Sequence, residues 1–98
     1  MSYQLSIRRE AESDIRAAFE YYQSCREGLG HEFLLCVEAA LEYIRRNPFV
    51  CRVVHKDVMR VMIHRFPYGI YFLVCEKKII VVAVMHARRA PVRWRSRE

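Results

Sequence analysis

His86 closes an apolar run, and Arg88, Arg89, Arg93, Arg95 and Arg97 follow it closely, with the only tryptophan, Trp94, among them. A histidine ring titrates near cellular pH and can give or take a proton, while guanidinium groups hold carboxylates and phosphates. Upstream, Arg60 adds a cation inside a stretch with strand patterning. These residues have the chemistry either of a surface that grips an anionic partner or of a site that cleaves a phosphodiester. A plainer reading has His86 as a structural histidine at a strand end and Arg88 to Arg97 as a solvated basic ending. Trp94 weighs against that ending, since an indole is costly to leave in water and is expected to dock on the sheet or on a partner.

The charge balance also points to an anionic partner. Seventeen Lys and Arg against eleven Asp and Glu give a net charge of +6 and a pI near 9.5, which favours nucleic acid, ribosome or an acidic protein without choosing among them. Length makes 1–98 a single domain and excludes a multi-domain enzyme. No stretch approaches the roughly 20 apolar residues of a membrane span, and the opening MSYQLSIRREAESD carries charge where a signal peptide is apolar, so a cytoplasmic location is expected. Cys25, Cys36, Cys51 and Cys75 lie in apolar periodic segments with no Cys-x-x-Cys, and are read as small, reduced, buried hydrophobes. His31, His55, His64 and His86 are scattered, so no metal site is expected.

Positioning this chemistry falls to two apolar runs, Ile70 to Cys75 and Ile79 to Met85, separated by Glu76-Lys77-Lys78 and read as a hairpin. Tyr3, Leu5 and Ile7 alternate with polar residues as in a short strand. From Glu10 the period becomes helical, with Ala11, Ile15, Ala18, Phe19 and Tyr22 on one stripe and Glu10, Glu12 and Asp14 in the first turn. Beyond Gly28 and Gly30 a second stripe, Phe33, Val37, Ala40, Leu41 and Ile44, runs to Asn47-Pro48. Cys51 to His55 and Val58 to Arg65 complete the strands around a Lys56-Asp57 turn, with Met59, Val61 and Ile63 facing one way and Arg60, Met62 and His64 the other. The order is that of a two-layer α+β domain, β-α-α-β-β-β(-β), with a helical hairpin packed on one antiparallel sheet.

In the hairpin both alternating sets are apolar, Ile70, Phe72, Val74 against Tyr71, Leu73, Cys75, and Ile79, Val81, Ala83, Met85 against Ile80, Val82, Val84. A sheet with helices on one side normally has polar residues on the other, so the second face is expected to meet either this chain's own loops or, preferably, a partner.

The segments AESDIRAAFEYY, LGHEFLLCVEAALEYIRRNP and FPYGIYFLVCEKKIIVVAVMHARRAP, in this order, resemble toxins of the RelE/ParE superfamily from bacterial type II toxin–antitoxin modules, nearly end to end. The resemblance implies an antiparallel sheet carrying the helical hairpin, an acidic antitoxin encoded alongside, and no cofactor. RelE-like toxins cleave messenger RNA on the ribosome; ParE-like toxins inhibit DNA gyrase without catalysing a reaction. Matching motifs carries the RelE-like basic positions to Arg60, Met62, Gly69 and Arg88, and its tyrosine to Trp94. Only Arg60 and Arg88 are cations there, and an indole cannot accept a proton. The His-then-basic-then-Pro ending resembles the ParE-like branch.

The expectation is therefore a growth-inhibiting toxin that binds gyrase rather than the ribosome, contacting target or antitoxin through His86, Arg88, Arg89, Arg93, Trp94 and Arg60. The alternative is a ribosome-dependent endoribonuclease in which His86, Arg88, Arg60 and Arg89 are catalytic. A basic nucleic-acid-binding domain ranks third, for want of a groove-reading helix.

Overall fold

The strands β4 (Tyr68–Cys75) and β5 (Lys78–His86) form the spine of the fold, because β-branched and aromatic residues at nearly every position favour a pleated surface buried on both sides. The computed structural model describes residues 3–88 of the 98, so expectations for Arg89, Arg93 and Trp94 lie outside the described residues. Before the spine come β1 (Gln4–Ile7), α1 (Arg9–Cys25), α2 (Leu29–Arg46), a 3-10 turn (Pro48–Val50), β2 (Arg52–His55) and β3 (Val58–Met62).

The five strands form one sheet in the order β1-β5-β4-β3-β2. Strands β2 to β5 are antiparallel, as expected, but β1 pairs with β5 in parallel, from Gln4 opposite Lys78 to Ile7 opposite Val81. The sheet is thus mixed rather than wholly antiparallel. The helical hairpin carries the chain from β1 to the far edge, and the meander that returns brings β5 back in the direction of β1.

The helices bury the expected stripes. Ala11 and Ala18 of α1, and Phe33, Val37 and Ile44 of α2, pack on Met59, Ile63, Ile70, Phe72, Ile79, Val81 and Val84 of the sheet side. Rings of Tyr22, Phe33, Phe66 and Tyr68 meet with centroids 4.8 to 6.0 Å apart, each such pair adding about 0.5–1.5 kcal/mol beyond its buried area. The hairpin turns through Gly28 at φ +89°, a left-handed conformation that only glycine adopts without strain. Gly30 then lets α2 approach α1 closely, its N–H donating to Gln23 Oε1 at 3.0 Å.

Several boundaries differ from expectation. Strand β3 stops at Met62 rather than Arg65, and Arg65 turns the chain at φ +73°. Lys78 belongs to β5 and pairs with Cys75, leaving a two-residue loop, Glu76-Lys77, with Glu76 at φ +58°. Such short loops follow the strand twist only with a positive φ. The cysteines are free, but Cys25 and Cys75 are exposed rather than buried, lying at the ends of α1 and β4 where the apolar stripes run out.

The largest departure is a bulge in β5. Tyr71 pairs with Ala83 and Phe72 with Val81, so Val82 has no partner residue on β4. Val81 and Val84 point to the helices, while Val82, Ala83 and Met85 share the opposite face. The expected set of Ala83 and Met85 with Ile79 and Val81 is therefore split, because an extra residue resets the two-residue alternation. The central apolar residues of that opposite face are not exposed for a partner, although Met62 beside Arg60 is. Val58, Tyr71, Val82, Ala83 and Met85 are between 0% and 5% exposed within the chain itself, with Val54, Leu73 and Ile80 packed around them.

Two consequences can be measured. A Cβ at Gly30 would lie 2.7 Å from the Phe19 carbonyl oxygen and 2.8 Å from its ring, so Gly30→Ala forces the helices apart. A net loss of about 1–3 kcal/mol is expected in chemical denaturation despite alanine's higher helix propensity. Separately, Glu32 joins the helical hairpin to the β3–β4 turn, accepting from Arg65 at 2.8 Å and Arg26 at 3.1 Å. These hydrogen bonds, Arg65 first, hold its carboxyl below the usual glutamate range. A depressed carboxyl stabilises the fold above its unfolded pKa, and that stability is lost as pH falls through the folded value. Melting temperatures of Glu32→Gln and the wild type should therefore differ at pH 7 and converge in acid.

Candidate functional site

The bulge decides where His86 lies. Counted from Val81 without it, His86 would face away from the helices; with it, His86 follows Val84 onto the helix side, opposite Tyr68. The two rings meet edge to face, with centroids 5.5 Å apart. Backbone N–H of Arg88 donates to His86 Nδ1 at 3.2 Å, so the neutral ring carries its proton on Nε2. Ala87 N–H donates to the Pro67 carbonyl at 2.9 Å, extending the hairpin pairing just past β5.

Beside His86 a groove of about 830 Å³ runs between α1 and the adjoining ends of β4 and β5. Glu10 and Asp14 line it from the helix, with Tyr21, Tyr22, Tyr68 and His86 around them. Burial first, then Tyr68, Tyr21 and Cys25 nearby, raises the Tyr22 pKa, so its phenol is a protonated donor at neutral pH. Asp14 also holds the groove's wall in place: Oδ2 accepts the Val84 N–H at 3.0 Å. Parallel pairing from β1 ends at Val81, and Asp14 supplies the acceptor that a continued strand would have given. Read in the sequence, Asp14 is only one more acidic residue at a helix start; its real role depends on a contact seventy residues away in the chain.

Arg60 belongs to the other face. It pairs across the ladder with Tyr71, and its stem lies against the Cα side of Gly69, which in turn pairs with Met62 and Met85. Of the six residues expected to form the site, His86 and Arg60 are thus separated by the sheet. Arg88 is exposed just beyond β5. Met62 and Gly69 stand on Arg60's face, where neither adds charge. Among the described residues no group of three His, Cys, Asp or Glu could hold a metal ion, and no helix is long and apolar enough to cross a membrane.

Residues 5–91 match the family model of the ParE toxin of the type II toxin–antitoxin system parDE. The chain belongs to the ParE toxin family. It is therefore a toxin of the type II toxin–antitoxin class. No curated protein sequence matches it. Among solved structures, this ParE-family chain is similar to one from the chromosomal ParDE system of P. aeruginosa, with a TM-score of 0.66 at 19% identity, covering 87% of this chain and 96% of that one. It is also similar to the free E. coli toxin RelE, in a mutant form, with a TM-score of 0.73 at 16% identity over 99% and 94% of the two chains. A chain of the RelBE2 toxin–antitoxin complex of Mycobacterium tuberculosis aligns with a TM-score of 0.60 at 14% identity, over 88% and 99%. At such identities the solved structures establish the shared fold.

The Asp14 contact gives this toxin a measurable local property. Asp14→Ala leaves a part-buried N–H without its acceptor and should cost about 1–3 kcal/mol in global unfolding. Hydrogen exchange should locate the loss, with the Val84 amide accelerated more than those of β3.

Proposed function

We propose that this ParE-family toxin arrests growth by binding a protein target, DNA gyrase, and that it cleaves no RNA. The observation that carries this reading is the division of the site across the sheet. A phosphodiester cleaved by acid–base chemistry needs its proton carrier and its cations within hydrogen-bond reach of one phosphate. His86 stands on the helix side, with Nδ1 already accepting from Arg88, whereas Arg60 is on the opposite face. Met62 and Gly69 supply no charge beside Arg60.

A binding surface has no such convergence requirement. His86, Arg88 and Arg60, with Arg89, Arg93 and Trp94 beyond the described residues, serve as contacts to the target or to an acidic antitoxin that neutralises the toxin. The match to the ParE family model supports gyrase over the ribosome. The exposed Arg88 guanidinium speeds encounter with anionic surfaces, and apolar contacts carry most of the affinity.

Purified full-length toxin should inhibit gyrase-catalysed supercoiling in a concentration-dependent way, and equimolar co-encoded antitoxin should restore it. Primer extension on messenger RNA after induction should show no new ends. Discrete cuts at ribosomal A sites that vanish in His86→Ala would overturn the proposal in favour of the endoribonuclease.

A further inference from the structure

Gly69 sits inside β4, where glycine weakens a strand, and its φ is not positive, so no backbone conformation requires it. What occupies its missing side chain is Arg60. A Cβ at position 69 would lie 3.1 Å from Arg60 Cδ, 3.2 Å from Cγ and 3.3 Å from Met62 Sδ. Arg60 is opposite Tyr71, and Gly69 precedes Tyr71 by one full pleat, so the Arg60 stem crosses β4 on the diagonal and fills the notch that glycine leaves. The surroundings are apolar: Met62, Tyr71, Ala83 and Met85 share this face. Among the described residues the structure gives the Arg60 guanidinium no hydrogen bond and no ion pair.

A partly buried arginine with a packed stem, whose head has no partner among the described residues, is a preorganised anion receptor. Packing has already removed much of the side chain's rotamer freedom, and apolar neighbours strengthen its attraction for an opposite charge while penalising a like one. We propose that Gly69 is a positioning residue: its notch fixes Arg60 across β4 so that the guanidinium receives a carboxylate from a protein partner. This rests on the reading above that Arg60 belongs to the recognition surface, and adds the residue that sets its direction and the chemical class it meets. A planar guanidinium fork matches a carboxylate with paired hydrogen bonds, which a lysine ammonium cannot do.

The geometry makes the proposal testable without unfolding the protein. The atoms that a new Cβ would meet are the flexible stems of Arg60 and Met62, not backbone, so Gly69→Ala is accommodated by swinging Arg60 out of the notch. Replacing glycine in a strand also reduces the entropy of the unfolded chain, so the melting temperature should hold or rise. Binding should move the other way.

Affinities of full-length toxin for gyrase and for the co-encoded antitoxin would be measured for wild type, Arg60→Ala, Arg60→Lys, Gly69→Ala and Gly69→Ala/Arg60→Ala. For the partner that supplies the carboxylate, Arg60→Ala should lose about tenfold to a hundredfold. Gly69→Ala should lose a substantial part of that, Arg60→Lys should fail to restore it, and the double variant should match Arg60→Ala within about twofold. A loss seen with one partner only assigns the carboxylate to that partner. If Gly69→Ala costs as much in the Arg60→Ala background as in the wild type, or binds both partners normally, the positioning role is overturned. If Arg60→Ala leaves both affinities unchanged while the wild-type toxin still inhibits gyrase, the recognition role of Arg60 fails and the reading of the toxin as a gyrase binder stands.

Discussion

The unpaired Val82 is the constraint on which the rest of the sheet depends. A strand with perfect alternation would send His86 to one face and Met85 to the other in the opposite sense, and no loop or helix could correct it. One extra residue in β5 makes Val84 a core residue and brings His86 against Tyr68. A bulge also bends and twists its strand, and that bend occurs where β1 has ended and α1 crosses. Asp14 is therefore not incidental. It satisfies an N–H on the stretch of β5 that has lost its parallel neighbour, and it fixes α1 to that stretch. The groove beside His86 is the space between these two constrained elements.

At the other end of the helices the constraint is close approach. Gly30 brings α2 against Phe19 and Gln23, which lets Phe33 reach down between Tyr22, Phe66 and Tyr68. Those rings belong to both helices, the β3–β4 turn and β4, so they hold the two layers together at one corner. Glu32 reinforces the corner from outside through Arg65 and Arg26, all partly exposed, where such pairs contribute little individually. Its greater effect is on geometry, since Arg65 occupies a left-handed conformation that a non-glycine residue keeps only when its surroundings hold it there.

What the sequence disclosed follows from periodicity. Both helices, their buried stripes and the two faces of β3 were legible, because Ala11 to Tyr22 and Phe33 to Ile44 repeat at helical spacing and Met59, Val61 and Ile63 alternate with Arg60, Met62 and His64. The bulge was not, because Val82, Ala83 and Val84 are all apolar and fit either face; a polar residue among them would have revealed the phase. The same ambiguity hid the separation of His86 from Arg60. Asp14 was invisible as a strand cap because its acceptor role depends on the crossing of α1 over β5. Gly69 did carry a usable signal: a glycine inside an otherwise β-branched and aromatic strand marks a place where something comes close.

The two faces of the sheet now have different chemistry. On the helix side the groove presents Glu10, Asp14, three tyrosines and His86, with no lysine or arginine among the described residues lining it. On the other face Arg60 lies among Tyr71, Met62 and Met85. A compact substrate could engage only one of them. Arg88 stands exposed at the end of β5, just past the Ala87 to Pro67 hydrogen bond. A single ligand that meets both His86 and Arg60 has to pass around an edge or end of the sheet, which an extended protein segment that orders on contact does more readily than a rigid one.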